Sequence, residues 1–567
     1  MLKIGFKNQN KILLYVLPLV ILSFLIPFFL TELATFHDWR FFNAQAALLK
    51  SSIWHFNVWP IHDPWACGGT NVLQEIENLF YSPALFFLLF FPPSVSNLLG
   101  ILLFVIIGYL TSYKYFKTIT QEDRFAVFLA AIYVNLPWFT LHFAEGHVSY
   151  RSFLLMPAFL YCLQSLKKPK TFLYLSLLVA LFINDGGFYT LIFCTVLTIA
   201  YSCLGLIDFR SLFHNLRKHF AFYLLTVITF LCLVFPKLYP SFLGTSHREP
   251  MLDQFTLGIT DILKIMYWPL QTIFDGFEGS KWGFHEYGNY IGIFITVLFI
   301  GSLKSVFTKK MIPYFIALGL FFWVATGIGG VINPWSIFQK LPVINIAHIQ
   351  SRYFIIVSLL LLTIIAFGLP FWKNKKLVSF LLIMALVEII LVNGIIYYNI
   401  FSKNEGDDFN IDQTITKDIV THTQKYVLRP YIYEYPEAAS KYCAKTSLTH
   451  VFVNCVEDEQ YKGEVIFLQG NGKVFNYHYI PTRITFNYDN VMKDSVLQIN
   501  THHFLGWQSK IEGVKVISKN NGLVQLAFTQ ERGRAQIDFY PPYLTSLIIT
   551  FLIGLGLLII LLRQKIE

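Results

Sequence analysis

The sequence ILLYVLPLVILSFLIPFFL, Ile12–Leu30, is followed a few residues later by TFHDWR, Thr35–Arg40. The first stretch is apolar and long enough to cross the core of a bilayer. The second places Asp38 beside His37 where such a segment would leave the membrane. A further acid, Asp63, follows in the same loop within HDPW. These stretches predict a helical membrane protein whose first loop carries reactive polar groups.

The composition agrees with that prediction. Of the 567 residues, 55% are hydrophobic and 14% are charged, whereas a soluble chain has charge at about a quarter of its positions. The net charge of +10 does not indicate a nucleic-acid partner, because the basic residues lie in short loops between apolar runs. A cleaved signal peptide is the alternative for the first run, but no small-residue cleavage site ends it.

The apolar runs predict about twelve transmembrane helices. Their expected ranges are 12–30, 95–116, 124–141, 150–166, 171–183, 187–206, 220–237, 288–304, 311–328, 352–369, 377–398 and 543–562. The shorter run Tyr81–Phe91 ends in two prolines and predicts a half-helix that enters only one leaflet.

Basic residues orient these spans. Alternate loops carry the clusters Lys3/Lys7/Lys11, Lys114/Lys117/Arg124, Lys167/Lys168/Lys170, Arg210/Arg217/Lys218, Lys304/Lys309/Lys310, Lys373/Lys375/Lys376 and Arg563/Lys565. The positive-inside rule makes this face cytoplasmic and places both termini there. We therefore expect a multi-pass protein of the cell (cytoplasmic or inner) membrane, with its polar sites on the outer face.

The expected domains follow from this orientation. Residues 1–398 form a transmembrane domain with outer loops 31–94 and 238–287, residues 399–541 form an outer domain, and residues 542–567 form a last span and a cytoplasmic tail. Alternating segments and Asn-Gly turns predict a β-sandwich in the outer domain. Its expected strands are Tyr426–Tyr433, His450–Val456, Glu464–Gln469, Lys473–Tyr479, Arg483–Tyr488, Gly513–Ser518, Leu523–Phe528 and Ala535–Tyr540. Cys443 and Cys455 either form a disulfide there or stay reduced.

The two acids of the first loop each have a functional and a structural interpretation. Asp38 is a general base for an acceptor hydroxyl, a ligand for a divalent cation, or the cap of a helix that starts at Trp39. Asp63, together with His62, binds substrate or starts a turn at Pro64.

Other polar groups fall on the same face. Glu145 and His147 follow a helix end with His142, and Gly146 breaks the helical register that a zinc site would need, so we expect a pocket for an anionic head group and no metal site. Asp185 precedes two glycines where a helix restarts, which indicates an anion site or a membrane-edge turn.

Two further residues complete the candidate site. Glu286 leads into a span, and Arg352 stands at the outer mouth of another. Arginine is a natural partner for phosphate, although it also lies at membrane interfaces for its own solvation. Asp38 is thus the candidate catalytic residue, and the candidate substrate-binding residues are His37, Asp63, Glu145, His147, Asp185, Glu286 and Arg352.

The chain also resembles a known family. The order of one span, a long outer loop with an early acid and further spans resembles the GT-C glycosyltransferases, and within them the bacterial YfhO family. The residues that carry the resemblance are Asp38-Trp39, Tyr81–Pro83, Gly146-His147 with Pro157, Glu286–Gly292, Leu341-Pro342, Ser351–Tyr353, and Phe504–Trp507 with Ile511–Gly513 and Tyr540-Pro541. Glu512-Gly513 departs from the Asn-Gly pair of the family.

The resemblance implies an inverting transfer of a sugar from a polyprenyl-phosphate donor to a glycan, lipid or protein acceptor outside the cytoplasm. It maps the catalytic carboxylate onto Asp38. The first loop has no Asp-x-Asp pair, so no resident cofactor is expected, and a divalent cation is the alternative. The competing functions are a transporter or flippase of lipid-linked glycan, for which mid-span Glu388 is the main indication, and a non-catalytic assembly factor.

Overall fold

The computed structural model describes residues 11–30, 38–54, 56–63, 69–166, 168–245, 255–273, 275–341, 344, 347, 349–403, 465–518 and 522–564. His37, Cys443 and Cys455 lie outside these residues, as do the expected strands Tyr426–Tyr433 and His450–Val456.

Helices dominate the first part of the described chain. In order they are α1 Lys11–Leu30, α2 Asp38–Trp54, α3 Pro93–Thr120, α4 Asp123–Val134, α5 Pro137–Glu145, α6 Met156–Gln164, α7 Pro169–Asn184, α8 Phe188–Cys203, α9 Phe209–Lys218, α10 Phe220–Thr245, α11 Ile259–Tyr267, α12 Ile293–Val306, α13 Ile312–Thr326, α14 Pro334–Phe338, α15 Phe354–Gly368 and α16 Lys375–Lys403. A last helix, α17 Leu544–Arg563, follows the β-domain.

Among the described residues, 6 helical segments are long and apolar enough to cross a membrane: Pro93–Thr120, Asp123–Glu145, Phe220–Leu243, Gln350–Phe371, Lys375–Ile400 and Leu544–Arg563. Five shorter apolar helices of 10–17 residues lie at Leu13–Ile26, Pro169–Asn184, Phe188–Cys203, Ile293–Lys304 and Ile312–Thr326. The chain is therefore a helical protein with several membrane-spanning candidates.

The segment expected to span the membrane at 150–166 is divided between two kinds of helix. Residues Val148–Leu155 form a 3₁₀ helix, and α6 covers only the 9 residues Met156–Gln164. The polar side chains in this segment explain the difference, because Arg151 and Ser152 bond to other parts of the core instead of facing lipid. The half-helix expected at Tyr81–Phe91 is a 3₁₀ helix over Pro83–Leu89, which Ser82 caps.

The largest apolar core joins most of the helices, while smaller clusters join α7, α10 and α17. It centres on α15, where Phe354, Leu359 and Ile364 are completely buried. Helix α17 packs along α10, where Gly554 leaves room for Cys232 and Leu233. The last span is thus part of the same helical body.

The β-domain contains two antiparallel sheets that share one core. After the two-residue strands β1 His62–Asp63 and β2 Thr70–Asn71 of the first loop, its strands are β3 Val465–Gln469, β4 Lys473–Ile480, β5 Arg483–Asp489, β6 Val496–His502, β7 Trp507–Ser509, β8 Val514–Val516, β9 Leu523–Phe528 and β10 Gly533–Phe539. The strand orders are β4-β5-β10-β7 and β3-β6-β9-β8. Strands β6 and β7 were not expected from the sequence. The boundary expected at residue 399 also differs, since α16 continues to Lys403.

Part of the first loop joins this β-domain. The two-residue strands His62–Asp63 and Thr70–Asn71 pair with each other, and Ile61 and Leu73 enter the apolar core of the sandwich. The His62 ring contacts a group of aromatic rings belonging to Tyr479, Phe504, Trp507 and Phe539. The loop that we assigned to the transmembrane domain therefore connects the helical body to the sandwich.

Candidate functional site

Four short segments meet at one place beside the helical core. They are the start of α2, the end of α5, the 3₁₀ turn Phe284–Glu286 and the 3₁₀ turn Gln350–Tyr353. Gly146 ends α5 with a φ of 103°, a conformation that glycine adopts without strain. This turn aims His147 back toward the start of α2.

Asp38 and His147 form the outer part of the site. Nε2 of His147 lies 3.2 Å from Oδ2 of Asp38, and the Asp38 side chain is 51% exposed while that of His147 is 10% exposed. Asp38 is the first residue of α2, so the helix that we expected to follow it is present. The carboxylate is the most accessible member of the site, and an incoming hydroxyl group would meet it first.

The imidazole of His147 is held from its other side by His142. Their Nδ1 atoms are 2.8 Å apart, so one of these nitrogens carries the proton and the other accepts it. His142 is completely buried and packs on the indole of Trp138, with ring centroids 4.1 Å apart. The orientation of His147 is therefore fixed by the helix that precedes it.

His285 lies between two carboxylates. Its Nδ1 is 3.8 Å from Glu145 Oε2, and its Nε2 is 3.6 Å from Glu286 Oε1. Nδ1 also lies 3.1 Å from the carbonyl oxygen of Ile273. The ring centroids of His147 and His285 are 5.7 Å apart, so this group adjoins the Asp38 pair.

Arg352 and Glu286 form a bidentate ion pair on the buried side of the site. Nε of Arg352 donates to Oε2 of Glu286 at 2.6 Å, and Nη2 donates to Oε1. The guanidinium carbon lies 5.3 Å from the ring centroid of Tyr150 and 5.0 Å from that of Tyr189. Both charged side chains are at most 5% exposed, so their mutual pairing compensates the loss of hydration.

These contacts shift the protonation equilibria of the site. The protein around the half-exposed carboxylate of Asp38 removes part of its hydration and would raise its pKa, but the hydrogen bond and charge of His147 lower the pKa below its usual value. Burial disfavours the charged form of His285, yet Glu145 and Glu286 outweigh it and raise its pKa to about 9. Burial also opposes ionisation of Glu286, but Arg352 holds the pKa of this carboxyl well below its usual value. Asp38 and Glu286 are thus ionised at neutral pH.

The structure brings together five of the predicted residues: Asp38, Glu145, His147, Glu286 and Arg352. It does not bring Asp185 into this group. Asp185 is completely buried and accepts hydrogen bonds from Arg151 and Ser82. This pairing explains why an acid stands at that helix junction.

Asp63 also lies apart from the group. It pairs with Thr70 in the short ribbon that joins the β-domain. His37 lies outside the described residues.

Two residues of the site were not predicted from the sequence. His285 directly precedes Glu286 in the sequence, and this adjacency is the signal that indicates His285 as a further member of the site. His142 was noted only for its spacing to His147, and its role as a support for that ring depends on the left-handed turn at Gly146.

Glu388 has a clear structural partner. Its carboxylate accepts hydrogen bonds from the backbone N–H groups of Ile293 and Phe294 at 3.0 and 3.2 Å, and from Tyr290. These are the first amides of α12, where a carboxylate is stabilised by the helix dipole. Glu388, the residue that favoured a transporter in the sequence, therefore caps a helix.

The comparisons with known proteins give no match. Searches found no protein-family model, no curated protein and no solved structure with significant similarity to this chain. Arguments about its function therefore rest on its own residues and geometry.

Proposed function

We propose that this chain is a membrane glycosyltransferase of the GT-C type, which moves a sugar from a polyprenyl-phosphate donor to an acceptor outside the cytoplasm. The observation that carries this proposal is the half-exposed Asp38 carboxylate, held by His147 at the edge of a buried, charged group that ends in Arg352. An oriented acid in a site that also contains a guanidinium suits the transfer of a sugar away from phosphate.

In this mechanism Asp38 is the catalytic base. As the acceptor oxygen attacks the anomeric carbon, the bond from that carbon to the phosphate oxygen breaks, and the phosphate leaves with the electron pair. The hydroxyl proton passes to Asp38. His147 keeps the carboxylate in position, and its hydrogen bond favours the ionised form that accepts a proton.

Arg352 is the proposed phosphate ligand, with His147 assisting it. Glu286 occupies Nε and Nη2 of the guanidinium, which leaves Nη1, on a side chain that also contacts Tyr189, as the donor for a phosphate oxygen. Arginine binds phosphate oxygens through such donors. The ion pair with Glu286 fixes the direction in which the remaining donor points.

The proposal includes a topology of about twelve spans with both termini in the cytoplasm. Its support is the pattern of basic loops, together with the six long and five shorter apolar helices and the helical segment 148–164. The site then opens to the outer face. Membrane lipid surrounds the helices, and a lipid-linked donor reaches Asp38 from within that layer.

The test uses cells that lack the protein and express either the natural chain or the Asp38→Asn variant. With the variant we expect the acceptor to stay unmodified and the polyprenyl-phosphate sugar to accumulate, both measured by mass spectrometry of envelope extracts. Asp63→Asn is the matched control, since it changes an acid of the same loop outside the site, and it should restore modification. Modified acceptor in cells carrying Asp38→Asn contradicts the mechanism.

A second measurement separates transfer from flipping. If the chain is a transferase, the accumulated lipid-linked sugar lies in the outer leaflet, where a reagent that does not cross the membrane reaches it. If the chain is a flippase, the sugar accumulates in the inner leaflet and is protected. With Glu388 serving as a helix cap, we expect the outer-leaflet result.

A further inference from the structure

Three side chains of the site approach one another closely. One donor atom each from His147, His285 and Glu286 lies within 4.8 Å of the other two, and all three residues are buried. They come from two separate segments, the turn after α5 and the 3₁₀ turn before α12. Two imidazoles and a carboxylate around one point form a donor set typical of metal centres.

Each of the three side chains is also oriented by a further protein group. His285 Nδ1 lies 3.1 Å from the Ile273 carbonyl oxygen, which leaves Nε2 for another partner. His147 Nδ1 lies 2.8 Å from His142 Nδ1, so its Nε2, which lies 3.2 Å from Asp38 Oδ2, is the nitrogen that would bind a cation in place of that contact. Glu286 is oriented by the fork of Arg352. Supporting hydrogen bonds of this kind are the usual second layer around metal ligands.

We propose that His147, His285 and Glu286 bind one divalent transition-metal cation, for which Zn²⁺ is the best match. Ligand atoms about 2.0–2.1 Å from zinc lie about 3.3 Å from one another in a tetrahedral site. The present spacing therefore needs a contraction of about 1.5 Å at most. Three protein ligands leave the fourth position open, as catalytic zinc sites do.

The charge of the site suits a dication. Asp38, Glu145 and Glu286 provide three carboxylates, and Arg352 provides the guanidinium among the groups in contact here. With neutral imidazoles, the carboxylates exceed the guanidinium by two negative charges. A bound dication balances this excess.

The nitrogen ligands select the kind of cation. Magnesium and calcium prefer sets of oxygen ligands, whereas imidazole suits zinc and its first-row neighbours. The inference goes beyond the proposed transferase activity, because it concerns what these three side chains bind whatever reaction takes place at Asp38.

The test measures metal binding by the full-length protein in lipid nanodiscs. After treatment with a chelator, Zn²⁺ or Co²⁺ is added, unbound metal is removed, and the metal content per chain is determined. We expect one equivalent, with the visible absorption of four-coordinate cobalt. Cu²⁺ should give an electron spin resonance signal that is coupled to two imidazole nitrogens.

Variants identify the ligands. His147→Gln and His285→Gln should each reduce the affinity by at least about tenfold, and His142→Leu, which removes the support of His147, by roughly 10–100-fold. His478→Gln is the matched control, since this histidine is exposed on β4 and should leave binding unchanged. Gel filtration and thermal unfolding show whether each variant is folded.

Failure of this inference is distinguishable from failure of the proposed function. If the natural chain retains no Zn²⁺ or Co²⁺, or if its Cu²⁺ signal lacks coupling to two imidazoles, the inference is wrong even where sugar transfer is observed. If the cation binds as expected and the Asp38→Asn cells still modify their acceptor, the metal site stands and the transferase mechanism fails. The spectra of the natural chain decide the question even if a ligand variant does not fold.

Discussion

The backbone of Asp38 and Trp39 packs directly against the α-carbon of Gly146. A side chain placed on Gly146 would lie 2.7 Å from the carbonyl carbon of Asp38 and closer still to the nitrogen of Trp39. The indole of Trp39 also donates a hydrogen bond to the carbonyl of Phe143 at 2.9 Å. The start of α2 is therefore seated on the end of α5, and this contact places Asp38 next to His147.

Gly146→Ala should separate the two segments. We expect the free energy of unfolding to fall by about 1–3 kcal/mol, because alanine is strained at a φ of 103° and its β-carbon collides with α2. Displacement of Asp38 should also abolish the change in acceptor that we ascribe to the protein. Thermal unfolding in nanodiscs and the envelope assay measure the two effects.

Gly205→Ala is the matched control for that variant. Gly205 also has a positive φ, of 68°, but nothing lies within 4 Å of the position that a β-carbon would take. We expect a cost of about 1 kcal/mol from the backbone alone, with function retained. Equal functional losses in the two variants would refute a specific role for the contact with α2.

Arg352→Met should be strongly destabilising. It leaves the buried carboxylate of Glu286 without its main counter-charge, for which we expect a loss of about 3–5 kcal/mol. The loss would be measured as the change in unfolding free energy or midpoint in nanodiscs.

The double variant Arg352→Met/Glu286→Gln removes both charges and should recover part of that loss. The control is Arg483→Met, because the Arg483–Asp538 pair is partly exposed and should contribute no more than about 1 kcal/mol. A double variant no more stable than Arg352→Met would argue against an uncompensated charge as the cause.

His62 should make the stability of the chain sensitive to acid. Burial in the aromatic group, together with the nearby charge of His502, lowers its pKa to about 3. Because the folded state disfavours the protonated ring, its contribution to stability is complete above about pH 6.5 and declines as the pH falls toward 3. Between pH 7.5 and 5 we expect a loss of about 2 kcal/mol from this residue.

The measurement compares the natural chain with His62→Phe. Phenylalanine keeps a ring against Tyr479 and Trp507 but does not titrate, so the difference in unfolding midpoint between the two proteins should change over this pH range. The control variant His478→Phe replaces an exposed histidine. Its unfolding midpoint should therefore have the same pH dependence as that of the natural chain. Parallel pH profiles for the natural chain and His62→Phe would show that His62 does not contribute.

Lys237→Met should loosen the first loop from the helices. Nζ of this buried lysine donates to the carbonyl oxygens of Glu75 and Asn78 at 3.1 and 2.7 Å, and to Oδ1 of Asn78 at 2.8 Å. Removing these donors leaves buried acceptors unsatisfied, for which we expect a loss of about 1–3 kcal/mol. Proteolysis within residues 72–82 measures the local effect and should be faster in the variant than in the natural chain. Equal cleavage rates would contradict a role for Lys237 in holding this loop.

Hydrophobic length and turn chemistry predicted much of the fold. The long apolar runs gave helices near the expected ranges, and the segments around Asn471 and Arg483 gave strands β4 and β5. The segment after His147 could not be predicted in this way, because Arg151 is buried by pairing with Asp185. Such a partner is invisible to local hydropathy.

In the candidate site, too, some features could be predicted from the sequence and others could not. The residue types Asp38, His147, Glu286 and Arg352 were recognisable from their positions at helix ends. Contacts between residues far apart in the sequence, such as the packing of Trp39 against Gly146, determine which of these residues meet. His285 was missed because its contact with Glu145 is likewise made only by the packing of separate loops.

The packing of His62 against the β-domain has a consequence for biosynthesis. Its contacts with Trp507 and Phe539, and the approach of His502 Nδ1 to the Gly69 carbonyl at 3.0 Å, join positions separated by more than 400 residues of translation. The loop between α1 and the rest of the helices therefore waits in an incomplete state while the ribosome makes the remainder of the chain.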